Sequence, residues 1–372
     1  MNYTEQMLAH VAKRENNNKR KYLVVDPLQG KHVPVSGQKA LDMFDSLAEK
    51  VRTAYQNTSS SAMLLVGFAE TATAIGSRLA VTLGTLYMQT TREILQNADY
   101  LFFTESHSHA TEQKLCKNDI DGIIPKIERI VFVEDEVTTG NTIMKIIDII
   151  EKMYPNAVKF AVASLLNGMD DDSLEKYRSR NIDVHYLVKT HHENYTEIAE
   201  RYSENGEYIE ENTAAADVKL IPVSDGYINA RRLCEGGRYG SACENLAEKI
   251  ANEVPLDGIK TAAVIGTEEF MYPAVYTAAY LEKLGISAVT HSTTRSPIAV
   301  STDDGYPLSR RNTLSSLYDG ERRTFIYDIK KYDCVIVITD SKNISEKGKN
   351  TLVNALRIAG NDNIYMIGWC GE

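Results

Sequence analysis

The sequence predicts an α/β protein of two successive units, each built around a largely parallel β-sheet with helices on its faces. Three observations support this prediction: the length, the alternation of strand and helix patterns, and an order of motifs that occurs twice. A chain of 372 residues is long enough for two domains that each bury a core. We therefore expect a polar lead-in at residues 1–21, a first domain at 22–210 and a second at 211–372.

The first half alternates short apolar runs with segments of helical spacing. Such alternation is typical of a parallel sheet covered by helices on both faces. The segment 39–55 repeats apolar residues every three or four positions, which predicts an amphipathic helix. Strands are predicted at residues 22–25, 61–66, 100–103, 130–133, 158–166 and 184–188, and a second helix at 73–86.

The most informative segment is 129–142, which reads Arg-Ile-Val-Phe-Val-Glu-Asp-Glu-Val-Thr-Thr-Gly-Asn-Thr. Its four apolar residues predict a buried strand, and Glu134 and Asp135 follow at the carboxyl end of that strand. A loop rich in hydroxyl groups then leads into a helix predicted to begin near Ile143. The loop consists of Thr138, Thr139, Gly140, Asn141 and Thr142.

Such a loop at a helix N-terminus presents backbone N–H groups and the positive end of the helix dipole to a phosphate group. Two adjacent carboxylates can accept hydrogen bonds from vicinal hydroxyls or contact a hydrated Mg²⁺. A phosphate on one side and a diol on the other describe a ribose 5-phosphate. The alternative is an ordinary strand–turn–helix, although packing requires neither the acidic pair nor the threonine-rich loop.

Other polar residues are predicted at the same edge, because ligands of parallel sheets bind at the carboxyl ends of the strands. Glu70 and Thr71 follow a strand and open a helix, where the backbone can turn toward a pyrophosphate group. Arg92 follows two threonines, and its guanidinium group matches phosphate oxygens in pairs. The alternative for Arg92 is an exposed arginine at a helix start.

The segment 103–114 is the loop most densely loaded with titratable side chains. His107 and His109 are two residues apart and would lie on one side of an extended segment. We expect both to act in acid–base chemistry or pyrophosphate contact, with Glu105 orienting one of them. Lys114 is a further candidate for binding the leaving-group charge. A metal site and a solvated surface loop are the alternatives.

The segment Gly-Lys-His-Val-Pro-Val at residues 30–35 contains a second basic pair, Lys31 and His32. Its glycine and proline predict a β-hairpin turn, and the basic pair would then face a substrate. A plain surface turn is the alternative.

Four short motifs of the first half recur in the second half, two of them at an offset of 199 residues and two a few residues later in register. The order of strand, Gly-x-x-Glu, helix, Thr-Thr-Arg, strand and Asp thus occurs twice, which predicts an internal duplication. The alternative is chance similarity between two α/β units. The recurring pairs are 47–51 with 246–250, 62–70 with 261–269, 90–92 with 293–295, and 130–135 with 335–340.

The second copy differs from the first where chemistry is expected. Thr339 replaces the first acid, and Asp340 is followed by Ser-Lys-Asn-Ile-Ser, without the Thr-Thr-Gly-x-Thr loop. We expect this copy not to hold a ribose 5-phosphate in the same way. Its polar residues are nevertheless candidates for contacts with a second substrate, and they are Glu269, Arg295, Ser296 and Asp340, with Arg231 from the segment that matches the Lys31–His32 turn.

The segment 129–142 resembles the signature with which type I phosphoribosyltransferases bind phosphoribosyl pyrophosphate (PRPP). The tetrad Thr294-Arg295-Ser296-Pro297 lies downstream of a half that bears Gly-Lys-His-x-Pro and His-Ser-His-Ala-Thr. This combination resembles the bacterial two-domain phosphoribosyltransferase–TRSP proteins associated with tellurite-resistance (stress-response) operons, over residues 21–372. The implied fold is a phosphoribosyltransferase-like sheet followed by a diverged, Rossmann-like second domain.

The resemblance implies a Mg²⁺-dependent enzyme that uses PRPP and an unidentified base-like acceptor to make a nucleotide-like product, releasing pyrophosphate. The product would serve a nucleoside-like stress metabolite. Residues 138–142 would hold the 5-phosphate, Glu134 and Asp135 the ribose hydroxyls, and the metal would arrive with PRPP, with Asp135 as a candidate contact. The resemblance leaves the role of Glu136 open. It also suggests a homodimer.

Composition restricts the remaining alternatives. A net charge of −10 argues against a nucleic-acid footprint, and no apolar run reaches membrane-spanning length. Five scattered cysteines predict reduced thiols in the cytoplasm. A regulatory protein that binds PRPP or a nucleotide without turnover stays open, as do a PRPP synthetase and an inactive scaffold.

Overall fold

The computed structural model describes residues 2–15, 20–104 and 112–371. Two short 3₁₀ helices lie at Ser60–Ala62 and Ile124–Lys126. The strands are β1 His10–Lys13, β2 Tyr22–Val25, β3 Val35–Ser36, β4 Met63–Gly67, β5 Leu86–Gln89, β6 Tyr100–Thr104, β7 Glu112–Cys116, β8 Arg129–Val137, β9 Lys159–Asn167, β10 Asp183–Lys189, β11 Glu207–Ile209, β12 Lys219–Val223, β13 Cys234–Glu235, β14 Thr261–Gly266, β15 Ser287–Ser292, β16 Arg310–Ser315, β17 Arg323–Tyr327, β18 Cys334–Thr339 and β19 Ile364–Trp369. The helices are α1 Glu5–Leu8, α2 Gly37–Ala54, α3 Thr73–Leu83, α4 Lys117–Ile123, α5 Asn141–Met153, α6 Asp171–Ser179, α7 Tyr195–Arg201, α8 Gly236–Glu253, α9 Tyr272–Lys283 and α10 Glu346–Ile358.

The chain forms two compact units, and neither is a continuous stretch of sequence. The first unit contains the residues up to Glu5, Met43–His192 and Asn229–Ser241. The second contains Gln6–Asp42, Glu193–Ile228 and the chain from Ala242 onward. The domains predicted from the sequence, 22–210 and 211–372, are each continuous, whereas each structural unit combines several segments. Two short strands belong to the unit that contains their strand partner: β3 pairs with β15, and β13 pairs with β5.

The first unit is built on a six-stranded sheet of order β10-β9-β8-β4-β5-β13. The first five strands in this order run parallel, and β13 pairs antiparallel with β5 at the edge. All five residues of β4 are buried, which fits a central strand covered by helices on both faces. Gly67, the last residue of β4, pairs with Val133, and β8 continues beyond this point to Val137.

The second unit repeats this plan with a six-stranded sheet of order β12-β19-β18-β14-β15-β3. Its first five strands are also parallel, and β3 pairs antiparallel with β15 at the edge. Gly266 pairs with Ile338, the counterpart of the Gly67–Val133 pair. The predicted second α/β unit with a repeated strand order is therefore present.

Further small sheets accompany these two large ones. In the second unit, β11, β16 and β17 form a three-stranded sheet, and β1 pairs with β2. Apolar side chains of β14, β18 and α10 form one core of this unit, including Val335, Val337 and Leu352. In the first unit, β6 and β7 form an antiparallel hairpin.

The structure corrects two expectations about the parallel sheet. The strands at 22–25 and 100–103 form, but as β2 and β6 they pair in separate antiparallel sheets. Each finds its partner in a nearby strand, β1 or β7, and local antiparallel pairing needs no crossover connection.

The predicted hairpin turn at residues 30–35 is also absent. The segment leads into β3, which pairs with β15 of the second unit. Lys31 and His32 are buried, so the alternative of a surface turn is wrong as well. The sequence did not predict the pairing of β3 with β15, because the two strands lie more than 250 positions apart.

All five cysteines are free thiols. Within the described ranges, no helix combines the length and the apolar composition that crossing a membrane requires.

Two glycines at matching positions begin α2 and α8, and we predict that both are required for stability. A Cβ on Gly37 would lie 2.3 Å from Ala279 N, and one on Gly236 would lie 2.3 Å from Ala80 O. Because both obstacles are backbone atoms, Gly37→Ala and Gly236→Ala should each cost about 1–3 kcal/mol of unfolding free energy. Gly237→Ala is the matched control, since nothing lies within 4 Å of its Cβ position. Urea unfolding measures all three, and wild-type stability of the first two variants would contradict this packing.

Candidate functional site

The acidic pair lies at the carboxyl end of β8 in the first unit. The strand is buried up to Val133, and Glu134 and Asp135 are half-buried. Burial of the carboxyl group, followed by the charge of neighbouring Glu136, raises the pKa of Asp135 to about 6. Asp135 is therefore mostly ionised at neutral pH, and a ligand hydroxyl or cation would favour the ionised form further.

The loop at residues 138–142, which we call the phosphate loop, joins β8 to α5. Gly140 adopts φ +70°, a conformation that glycine adopts without steric cost, and it caps the thirteen-residue helix α5. The Tyr177 hydroxyl donates a hydrogen bond of 2.6 Å to Gly140 O. Burial raises the pKa of Tyr177, so the hydroxyl stays protonated and keeps donating. The loop thus has a fixed shape at a helix N-terminus.

The turn after β4 begins at the level of the acidic pair, because Gly67 pairs with Val133. The peptide bond between Ala69 and Glu70 is cis. Ala69 N donates to Thr90 Oγ1 at 2.8 Å, and the Gln113 side-chain amide donates to Ala69 O. These contacts attach the turn to the segment after β5 and to β7.

The structure brings Glu70 and Arg92 together and places both near the turn. Arg92 Nη1 lies 3.8 Å from Glu70 Oε2, and both side chains are largely buried. Lys114 Nζ donates to Arg92 O at 3.2 Å. Arg92 lies in a loop after β5, so the alternative of an exposed helix-start arginine is wrong. Thr71 is half-buried in the same turn.

Three of the predicted catalytic residues, Glu105, His107 and His109, lie outside the described residues.

Sequence reasoning missed a histidine at this edge. His192 follows β10, and its Nε2 lies 3.3 Å from Glu136 Oε1 and 2.7 Å from Thr190 Oγ1. The side chains of Glu136 and His192 are 11% and 13% exposed. Glu136 is therefore not a surface residue. The sequence did offer a signal for His192: it follows a predicted parallel strand, and functional groups of such sheets lie at the carboxyl ends of the strands.

Tyr177 was also missed, and no local signal identifies it. It lies on α6, 37 positions after Gly140, and only the folded chain brings the two together.

The candidate substrate contacts divide between the two units. Arg231 is buried in the first unit, where the adjacent Arg232 binds Asp119 with two hydrogen bonds of 2.7 and 2.9 Å. The other candidates, Lys31, His32, Glu269, Arg295, Ser296 and Asp340, belong to the second unit. Lys31 is fully buried and donates to the carbonyl oxygens of Glu268 and Thr293.

The part of the chain that the structure describes contains no group of three or more His, Cys, Asp or Glu side chains arranged to hold a metal ion. Mg²⁺ at phosphate-transfer sites commonly uses one or two protein carboxylates, with substrate phosphates and water as the other ligands. Glu134 and Asp135 fit that mode of binding.

The Tyr177–Gly140 contact yields a prediction about the phosphate loop. Tyr177→Phe removes one hydrogen bond and should cost about 1 kcal/mol of unfolding free energy. Gly140→Ala should cost more, because its Cβ would lie 2.6 Å from Tyr177 Oη at a positive φ. Gly84→Ala is a control with a similar φ of +65° and open space around it. Thermal unfolding tests this order, and a Gly140→Ala loss no larger than that of Gly84→Ala would contradict it.

Comparison with known proteins agrees with this geometry. Residues 8–193 match the family described as phosphoribosyl transferase, and residues 235–356 match the TRSP domain that lies C-terminal to it. A search among curated proteins finds no match.

Several solved adenine phosphoribosyltransferases are similar to the chain. The enzyme from Rhodothermus marinus shares 15% identity over 49% of this chain and 94% of its own, with a TM-score of 0.35. The Trypanosoma brucei enzyme shares 14% identity over 50% and 77% of the two chains, with a TM-score of 0.36. The Leishmania tarentolae enzyme shares 14% identity over 51% and 86%, also with a TM-score of 0.36.

The family match at residues 8–193 spans 186 of 372 residues, which is half of the chain. The protein therefore belongs to the phosphoribosyltransferase family, as a PRPP-using pentosyltransferase enzyme with a TRSP domain after its transferase region.

Proposed function

We propose that the first unit transfers the phosphoribosyl group of PRPP to a nitrogen of a base-like acceptor, with Mg²⁺ bound to the donor. The observation that carries this proposal is the position of the acidic pair at the end of β8, two residues before a phosphate loop that caps α5. In the reaction, the bond from ribose C1 to pyrophosphate breaks and a bond from C1 to nitrogen forms. The acceptor proton leaves to a base.

The phosphate loop would bind the 5-phosphate. Gly140 is the N-cap of α5, so the first helical turn and the positive end of the helix dipole face the loop. Thr138, Thr139 and Thr142 add hydroxyl groups within the same five residues. Glu134 and Asp135 would then accept hydrogen bonds from the ribose 2- and 3-hydroxyls and stabilise the positive charge that develops on the ribose ring.

The turn at residues 67–73 and the segment at 90–92 would bind pyrophosphate. Arg92 supplies the positive charge, and Glu70 holds its guanidinium group in place. Thr71 and Lys114 lie on the same two segments and would add a hydroxyl and an ammonium group. We assign His107, His109 and Glu105 to the leaving group as well, on their place in the sequence between β6 and β7.

Mg²⁺, when bound with PRPP, supplies charge neutralisation to the departing pyrophosphate. The residues that would contact it are Glu134 and Asp135. Asp135 in particular is a carboxylate whose burial makes ionisation costly without a nearby cation, which is consistent with this role.

Glu136 and His192 would form the acceptor side of the site. Glu136 directly follows the acidic pair in the chain. Glu136 and His192 would therefore border the ribose C1 position. A carboxylate beside an imidazole can accept an N–H from the acceptor and take up the proton that leaves during transfer. This arrangement favours a heterocycle with N–H donors over an apolar ring.

The product would be a nucleotide-like compound, and the resemblance to tellurite-associated proteins supports a nucleoside-like stress metabolite as its destination. A cytoplasmic location fits the free thiols, and a homodimer fits the resemblance.

Turnover is the direct test of this proposal. With Mg²⁺ and PRPP, the enzyme should release pyrophosphate only when a nitrogen heterocycle is added, and mass spectrometry should detect the phosphoribosylated product. Arg92→Ala should lower kcat/KM by about 10²-fold, because a charged contact to the leaving group is lost. Arg178→Ala, which removes an exposed arginine of the same unit, is the matched control.

Binding of PRPP without release of pyrophosphate across a broad panel of acceptors would favour the regulatory alternative. Equal activity of the Arg92 and Arg178 variants would contradict the assignment of the pyrophosphate site.

The acceptor side gives a separate prediction. Glu136→Gln keeps the size of the side chain but removes its charge, so it should raise KM for the acceptor and leave KM for PRPP nearly unchanged. His192→Gln should act in the same direction, since it removes the contact to Glu136. Initial-rate kinetics with both substrates varied measures the two KM values. An increase confined to PRPP would place this pair on the donor side instead.

A further inference from the structure

The second unit contains a cluster of charges at the carboxyl end of its sheet, which we call the basic cluster. Glu268 lies at its centre with a side chain that is 2% exposed. Glu268 Oε2 accepts hydrogen bonds from Arg295 Nε at 2.5 Å and from Arg322 Nη1 at 3.1 Å. The other carboxylate oxygen accepts from the Ser316 hydroxyl. Two guanidinium groups thus meet at one oxygen atom.

The basic cluster occupies the position that the proposed pyrophosphate site has in the first unit. Glu268 N donates to Thr293 Oγ1 at 3.0 Å, just as Ala69 N donates to Thr90 Oγ1 at 2.8 Å. Arg295 is the counterpart of Arg92 in the repeated Thr-Thr-Arg motif. The framework of that edge is therefore kept, while Arg322 adds a second guanidinium group.

The backbone at Glu268 is held in an unfavourable conformation. Glu268 has φ +51°, in the left-handed region that residues other than glycine rarely adopt. The buried Lys31 ammonium group donates to Glu268 O at 2.7 Å and to Thr293 O at 3.0 Å. Such conformations persist where the surrounding contacts determine them, and they occur preferentially at binding sites.

The charges of the basic cluster suit a bound anion. The side chains of Arg295 and Arg322 are 15% and 22% exposed, so both arginines reach solvent, whereas the Glu268 carboxylate that they contact is buried. Both guanidinium groups contact the same carboxylate oxygen and are partly exposed, so they lie side by side at this edge. Phosphate oxygens fit guanidinium groups in pairs, and a multiply charged anion could therefore contact both.

The counterpart of the ribose-binding pair differs at this edge. Asp340 is the counterpart of Asp135, but its two oxygens accept hydrogen bonds from Tyr318 at 2.7 Å and Tyr227 at 3.3 Å. Tyrosine hydroxyls thus already donate to both oxygens of this carboxylate. Thr339 stands where the first unit has Glu134.

From these observations we infer that the second unit binds a small molecule through a diphosphate group, held by Arg295 and Arg322. The ligand is recognised by its phosphates and not by a ribose diol. The inference rests in part on the proposed pyrophosphate site of the first unit. It uses none of the residues assigned to transfer there, so its test can fail while the proposed function holds.

Hydrogen–deuterium exchange of the full-length protein with inorganic pyrophosphate tests this inference, because it locates binding within the chain. Saturating pyrophosphate should slow exchange about threefold or more in segments 267–271, 293–296 and 316–322. The concentration at half-protection reports the affinity of this edge alone. Ribose 5-phosphate should protect these segments no better than orthophosphate does, since the site makes no contact with the sugar.

Arg322→Gln should weaken that protection about tenfold or more, because one charge-assisted contact is lost while Arg295 keeps Glu268 paired. Arg310→Gln is the matched control, since it removes an equal charge from an exposed pair with Glu207. Absence of protection in the wild type would overturn the inference and leave a closed ion-pair network. Equal affinities of the two variants would also overturn it, and the wild-type result stands even if Arg322→Gln fails to fold.

Discussion

The parallel pairing of two central strands is the constraint on which the functional geometry depends. Gly67 pairs with Val133 in the first unit, so the turn after β4 begins at the level of the acidic pair, which follows Val133 within β8. The second unit repeats the pairing as Gly266 with Ile338. Because parallel strands end at one edge, two loops that are distant in sequence are fixed side by side in each unit.

The two units show how one framework can carry different chemistry. In the first unit, Glu134 and Asp135 remain half-buried before a glycine-capped helix, and a single arginine accompanies the turn. In the second, tyrosine hydroxyls occupy the oxygens of Asp340, and two arginines meet at Glu268. In both units, a threonine hydroxyl accepts a hydrogen bond from a backbone N–H of the turn. The two units thus share the supports of the edge and differ in the groups that would face a ligand.

The central strands and the phosphate loop could be predicted because their signals are local. A short apolar run, an acidic pair and a threonine-rich loop lie within fourteen consecutive residues. The edge strands β3 and β13 could not be predicted, since each has only two residues and depends on a partner far along the chain. Lys31 shows the same limit: its sequence predicts a β-hairpin turn that faces a substrate, yet long-range contacts bury its ammonium group among carbonyl oxygens.

Side chains that support the site were harder to predict than those that would touch a substrate. Tyr177 and His192 lie in segments without any binding motif, and their roles come from Gly140 and Glu136 in the folded unit. Glu136 illustrates the difference: the sequence left its role open, and the structure gives it a histidine partner.

Calorimetric titration of PRPP, with and without Mg²⁺, tests the central claim most directly. The wild type should bind PRPP with about micromolar affinity that Mg²⁺ strengthens, and the double variant Asp135→Asn/Thr139→Ala should not bind measurably. Both changed residues lie at the carboxyl edge of the first unit and outside its apolar core, so the variant should keep its fold by circular dichroism. Equal binding by the wild type and the folded double variant, or no binding by either, would contradict the assignment of this edge as the PRPP site.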